Sequence, residues 1–187
     1  RTDKISPVSS DPLRHLLEAA REGDDRALTE LVRATQPAVW RLCSLLGQPG
    51  EPADLSQETY LRAIKAMRSF RGDAPVLAWL LAIARRTCAD HVRRTQRNRR
   101  IVERIGRLTT VSSSTVDDVG PIRDGTLMRY IGTLDPDRRE AFVLTQFVGL
   151  SYDEAAIVME CPVGTIRSRV ARARADLMAA VREADAV

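Results

Sequence analysis

Apolar positions recur at three- and four-residue spacing in block after block of this chain, with turn residues between the blocks, as amphipathic helices require and strands do not. In the first block, 12–22, Leu13, Leu16, Leu17 and Ala20 share one side and Gly23 marks the stop. The second, 25–46, turns Leu28, Leu31, Val32, Val39, Leu42 and Leu46 inward and stops at Gly47; Pro37 is expected to kink it. The third opens at Asp54, where Asp54 and Gln57 have the spacing of a cap and its reciprocal partner, and runs through Leu55, Leu61, Ile64 and Met67 to about Phe70. After the turn 71–74, Pro75 is a favoured first-turn residue for a fourth helix that continues past Arg100.

Punctuation is sharper near the C-terminus. Asp135-Pro136 caps a helix to Val148 that Gly149 ends, and Ser151 with Glu154 has the spacing of a capping box opening a short helix to about Met159. Glu160-Cys161-Pro162 then forms a turn before Val163, Gly164, Thr165 and a longer helix through about Arg182. A short helix, a tight turn and a longer basic helix make a helix-turn-helix. On the longer helix Ile166, Val170, Ala173 and Leu177 fall within about 60° of one another and pack inward, which turns Thr165, Ser168, Arg169 and Arg172 toward solvent. Arginine suits a major groove because its fork donates two bonds to guanine, while Arg167 and Arg174 lie on the flanks, where phosphate is met.

The fourth helix changes character along its length. Leu77, Trp79, Leu80, Leu81, Ile83 and Ala84 are core-like, with Trp79 an anchor rather than a stacking platform, whereas the second half is rich in arginine. Arg86, Asp90, Arg93, Arg97, Arg100 and Arg104 fall within about 40° of one line along it. Asp90 is within reach of Arg86, Arg93 and Arg94, to orient them or simply to pair with them.

Between Leu108 and Pro121 the chain reads LTTVSSSTVDDVGP, without helical periodicity. This divides it into a disordered arm (1–10), a first domain (11–107), a linker (108–122) and a second domain (123–187). Aromatics are only 4% of a chain that is 44% hydrophobic, so the cores are built from Leu, Ala, Val and Ile. The expected fold class is all-α, two small helical domains joined by a flexible linker.

The formal charge of +4 understates the basicity, because nine arginines lie between Arg85 and Arg107 against Asp90 and Glu103, a cluster that points to a polyanion. Lys4 and Lys65 are the sole lysines, a bias that reflects a GC-rich genome more than chemistry. Cys43, Cys88 and Cys161 are scattered, and His15 and His91 have no spacing relation to them, so no zinc site, disulfide framework or cofactor follows. Without an apolar run of about 18 residues or a signal-peptide pattern, a cytoplasmic protein with no membrane insertion is expected. The chain opens on Arg1 rather than Met, so its native N-terminus is expected upstream.

Three stretches carry a resemblance: DLSQETYLRAIKAMRSFRG from Asp54, WLLAIARRTCADHVRR from Trp79, and LDPDRREAFVLTQFVGLSYDEAAIVMECPVGTIRSRVARAR from Leu134. In order and spacing around the linker they resemble the two halves of extracytoplasmic-function sigma factors of the sigma-70 family. The resemblance implies a non-enzymatic factor that binds core RNA polymerase, reads a minus-35 element as duplex with its second domain, and opens and holds a minus-10 element as single strand with its first. Asp54, Gln57, Glu58, Leu61 and Arg62 match the helix that docks on the polymerase clamp coiled coil, and residues around Phe142 to Val148 the part that meets the flap. Arg71, Gly72 and Asp73, with Arg86, Asp90, Arg93, Arg94 and Arg97, match the elements holding an unpaired base and its strand, which suits the positive groove that single-stranded DNA needs. Thr165, Arg167, Ser168, Arg169 and Arg172 match the minus-35 reader. An anti-sigma factor is a further candidate partner.

Two positions depart from the family: Arg86 stands where Asn is frequent, and Met159-Glu160 where Leu-Gly is common. Glu160 in a left-handed turn would cost roughly 1 kcal/mol. An ordinary helix-turn-helix repressor or activator accounts for the C-terminal half only, and a nuclease lacks its cluster of carboxylates and bases. Acidic Asp117 and Asp118 in a flexible linker would let the two domains pack together and hide their basic faces.

Overall fold

The computed structural model describes residues 11–47, 52–106 and 125–185, and within these every regular element is helical. Four helices build the first domain: α1 (Arg14–Arg21), α2 (Asp25–Leu46), α3 (Pro52–Ala66, followed by a 3₁₀ turn, Met67–Ser69) and α4 (Val76–Gly106). The second contains α5 (Gly125–Thr133), α6 (Pro136–Phe142, running into a π-helical turn, Val143–Phe147), α7 (Tyr152–Met159) and α8 (Val163–Asp185). The expected arm and the whole expected linker, Asp117 and Asp118 included, lie outside the described residues.

Capping explains where these helices begin. Asp24 accepts from the amides of Arg26 and Ala27 to open α2, and Asp135 accepts from Asp137 and Arg138 to open α6. Ser151 and Glu154 form the full reciprocal box at α7. Asp54 does not cap α3: the helix starts two residues earlier at Pro52, whose ring suits a first-turn position, and Asp54 contributes instead as a negative charge in the first turn. One cap comes from far away. The Asp11 carboxylate accepts from Leu13 at 3.0 Å and from the amide of Val76 at 2.6 Å, joining the starts of α1 and α4.

α2 packs against α1, α3 and α4 and continues through Pro37 without interruption, so the expected kink does not break it. The bond that Pro37 removes would have ended on the carbonyl of Arg33, a residue exposed to solvent. Leu17, Leu31, Met67 and Val76 form a small core under α1, while Phe70 lies against Trp79 with ring centroids 5.0 Å apart. Trp79 is thus a core anchor, as its neighbours suggested.

The larger core does not stop at the domain boundary. Val39, Leu42, Leu46, Leu81 and Ala84 from the first domain belong to the same buried apolar cluster as Ile131, Leu144, Val158, Ile166 and Val170 from the second. α4 packs on α7, and α2 on the π-helical turn. Cys43 and Cys88 sit in this cluster in hydrogen-bonding contact, and the Cys88 thiol is held well above its ordinary range by that contact and by burial. It is a neutral core group.

Candidate nucleic-acid interface

On α3 the buried side is Leu55, Ser56, Thr59 and Ala63. The opposite side presents Asp54, Gln57, Glu58 and Leu61, with Arg62 half-buried at its edge. Leu61 and Ile64, two of the apolar positions that mark this helix in the sequence, are 47% and 44% exposed. They fall at three- and four-residue steps from Gln57, on the outward line; the inward line is Leu55 followed by the smaller Ser56, Thr59 and Ala63. This gives the polar face two large apolar side chains with no cover.

A relay of charges connects that face to α4. Glu58 accepts from Arg62 Nε at 2.8 Å, Arg62 Nη1 donates to Asp90 at 2.9 Å, and Asp90 accepts from Arg93 at 2.7 Å. Its two guanidinium partners, Arg62 first and then Arg93, hold Asp90 below the ordinary carboxylate range, while Glu58 and then Asp90 raise the Arg62 guanidinium. The sequence placed Arg86, Arg93 and Arg94 in reach of Asp90, and of these Arg93 is paired with it. Arg62 comes from α3, an inter-helix partner that periodicity along α4 has no means of showing.

Arg93, Arg94 and Arg97 are exposed and line the surface beside Asp90, whereas the side chains of Arg100 and Arg104 lie outside the described residues. The loop before α4 is held from behind. Arg14 Nη2 donates to the carbonyl of Gly72 at 2.6 Å, and a Cβ at Gly72, whose φ is +79°, would collide with that guanidinium. Arg71 and Asp73 remain exposed on either side. Arg14 had no functional reading from sequence, because its partner is a backbone atom 58 residues away.

In the second domain Ile166, Val170, Ala173 and Leu177 are buried as the spacing required. Arg167, Ser168 and Arg172 face solvent, but Thr165 and Arg169 are half-buried. Arg169 pairs with Asp137 at the start of α6 and donates to the Cys161 sulfur at 3.7 Å, so this arginine braces the turn rather than standing free. Arg138 bonds Asp176 at 2.7 Å and Arg174 bonds Gln146 at 2.8 Å, tying α8 to α6 and its π-helical turn along its length. Glu160 takes the left-handed conformation at φ 53°, in a turn whose usual glycine would avoid a cost of roughly 1 kcal/mol.

Among the described residues, three polar contacts cross between the domains. Arg85 Nε donates to Glu140 at 2.6 Å, Arg86 pairs with Glu160, and Arg41 Nη1 donates to the carbonyl of Phe147 at 2.7 Å. The two positions that depart from the resemblance therefore meet each other.

Residues 31–98 match the family model of sigma-70 region 2, and residues 124–177 match that of sigma-70 region 4. Over 161 residues, 86% of each chain, the sequence is 45% identical to a probable RNA polymerase sigma-C factor of Mycobacterium bovis and to the ECF RNA polymerase sigma factor SigC of Mycobacterium tuberculosis. The chain belongs to the sigma-70 family. Within it, the extracytoplasmic-function relatives include the sigma-E factor of Escherichia coli, 34% identical over 173 residues, which are 85% of this chain and 88% of that one. Among solved structures, CnrH in complex with the cytosolic domain of CnrY superposes with a TM-score of 0.70 at 29% identity, covering 91% of this chain and 97% of that one. The sigma factor RpoE of Bartonella quintana, solved with the anti-sigma factor NepR, gives 0.65 at 26% identity, covering 83% and 96%. In this sigma factor, as the sequence suggested, region 2 carries the arginine-striped α4 and region 4 the helix-turn-helix.

Proposed function

We propose that this chain is an extracytoplasmic-function sigma factor whose regions divide promoter recognition between unpaired and duplex DNA. The observation that carries the reading is the difference between the two basic helices: α4 offers exposed Arg93, Arg94 and Arg97 beyond its packed half, next to the braced loop 71–73, while α8 is anchored on one side and offers Arg167, Ser168 and Arg172 on the other. The first suits a strand with extruded bases, the second a major groove. Thr165 and Arg169 set the angle of α8 from its half-buried edge, and Arg86 and Asp90 complete the surface that takes the minus-10 strand.

Core polymerase docks on Asp54, Gln57, Glu58, Leu61 and Arg62, with Ile64 extending the patch, through the clamp coiled coil. The segment from Phe142 to Val148 meets the flap. An anti-sigma factor is a further partner, since both similar solved structures are complexes, one of them with a protein so named. The reading is of a binding protein, not an enzyme, working beside polymerase in the cytoplasm; among the described residues no helix is long and apolar enough to cross a membrane. The boundaries 11–107 and 123–187 are its two working units, and a GC-rich actinobacterial origin fits both the arginine bias and the mycobacterial relatives.

Run-off transcription with purified bacterial core polymerase on fragments of the source genome tests this. Discrete start sites dependent on the added chain support it; sequence-specific duplex binding without transcripts would replace it with a repressor or activator.

A further inference from the structure

Two side chains at the start of the described chain hold the loop between the 3₁₀ turn and α4. Arg14 Nη2 donates to the carbonyl of Gly72 at 2.6 Å, and the Asp11 carboxylate accepts from the amide of Val76, also at 2.6 Å. Asp11 and Arg14 are tied to each other as well, since the amide of Arg14 donates to the Asp11 carbonyl at 3.1 Å. Beneath them Leu17 is buried with Met67, which opens the 3₁₀ turn before the loop, and with Val76, which opens α4 after it. α1 therefore grips the loop at both flanks and in the middle. The helix lies wholly before residue 31, where the match to region 2 begins.

The bond to Gly72 fixes more than one atom. In a trans peptide the carbonyl and the following N–H share a plane and point opposite ways, and no peptide among the described residues is cis. With the Gly72 carbonyl turned onto Arg14, the N–H of Asp73 points away from that guanidinium. We propose that Arg14 and Asp11 are the positioning residues of minus-10 base capture: they hold the loop 71–73 in one pose before the strand arrives, and so present the Asp73 N–H as a donor to an acceptor on an extruded base. The inference rests on the reading of this loop as the holder of an unpaired base, and it names what makes the loop a pocket. A loop left free at Gly72 would have to be ordered as the strand bound, and apparent affinity falls by the fraction of molecules already in the competent pose. The arginines of α4 meet phosphates, which every nucleotide carries whatever its base. Strand affinity thus divides into a backbone part set by α4 and a base part set by α1.

The test measures anisotropy of the full chain with labelled oligo(dA), oligo(dC) and oligo(dT), and with an abasic deoxyribose-phosphate strand of the same length. The ratio of base-bearing to abasic affinity reads capture, and the slope of affinity against salt reads phosphate contacts. Three variants are compared with wild type: Arg14→Met, which keeps an apolar stem and removes the donors, Arg14→Lys, which keeps a cationic donor, and Asp11→Ala. Wild type is expected to favour its best base-bearing strand about tenfold or more over the abasic one. Arg14→Met should reduce that ratio about five- to tenfold with the salt slope unchanged, Asp11→Ala should do the same to a lesser degree, and Arg14→Lys should retain most of it. Circular dichroism verifies helix content; should Arg14→Met lose it, Asp11→Ala decides, because Asp11 precedes α1 and its loss leaves the buried Leu17 in place. A ratio unchanged in both Arg14→Met and Asp11→Ala would overturn the inference and leave the loop standing as the base holder. So would a loss of equal size on every strand with the salt slope lowered by about 0.7, the mark of a direct phosphate contact. A wild type that binds the abasic strand as tightly as the others would remove the base-holding reading itself, and the inference with it.

Discussion

α4 and α8 are both long arginine-rich helices, and the structure treats them in opposite ways. α8 is held along its length, with Ile166, Val170, Ala173 and Leu177 buried beneath it and Arg138, Arg169 and Arg174 tying it to its neighbours. α4 is buried only in its first half; beyond Cys88 the described side chains are half-buried or exposed, and the charges are left to solvent. On the proposed reading a rigid duplex demands a reader whose angle is set in advance, and α8 commits two of its arginines, Arg169 and Arg174, to bracing while Arg167 and Arg172 stay exposed. A single strand adapts to its host, so α4 needs charge more than precision.

Substitutions that remove the anchor should separate the two helices most. Ile166→Ala, at a fully buried site, is expected to cost about 2–5 kcal/mol and to abolish upstream-element binding, measured by chemical denaturation and duplex anisotropy. Arg97→Ala should leave stability within about 0.5 kcal/mol. An Arg97→Ala variant as unstable as Ile166→Ala would show that the back half of α4 is packed after all. Next in size, Arg172→Ala should lose about 1–3 kcal/mol of discrimination at a single promoter position, with stability unchanged. Arg169→Ala should instead lower stability and blur all positions together, and a double-mutant cycle with Asp137→Asn should return most of that loss as coupling.

Much of this contrast is legible in the sequence, because it depends on local periodicity and caps. The bounds of α2, the Ser151 and Glu154 box, the inward row of α8 and the turn at Glu160 all follow from residues within a few positions of one another. What sequence hides is the long-range partner. Asp11 caps α4 across 65 residues, Arg14 holds Gly72, Arg62 reaches Asp90, and Arg86 finds Glu160 74 residues on. Asp54 shows the complementary failure: the spacing to Gln57 is right for a cap, but Pro52 starts the helix first. Leu61 and Ile64 share the helical spacing of Leu55 and Met67, and only the packed arrangement separates the exposed pair from the buried one.

Smaller effects sharpen the comparison at the charges. Each of Arg93→Ala, Arg94→Ala and Arg97→Ala should reduce the salt slope of single-strand binding by about 0.7, with little dependence on sequence. Asp90→Asn, which releases Arg62 and Arg93 at a side chain 38% exposed, should cost under about 1 kcal/mol. Because these partners lower the folded pKa of Asp90, its contribution is complete above the unfolded value of about 4 and is lost as pH falls through the lower folded value. Stability of wild type and Asp90→Asn should therefore converge in acid, and a constant difference down to strongly acidic pH would remove the relay as the cause.

The π-helical turn at Val143–Phe147 closes with the amide of Val148 on the carbonyl of Val143, five residues back, so the helix there holds one residue more than an α-helical turn would. Deleting that residue would leave a good α-helix and a different molecule. Everything after it would rotate by about 100° around the helix axis, carrying Gly149, α7 and the recognition helix to a new bearing, and Arg41 would no longer find the carbonyl of Phe147. The aim of the DNA reader is thus written in the count of residues in one widened turn, a quantity that leaves composition and hydrophobic pattern almost unchanged.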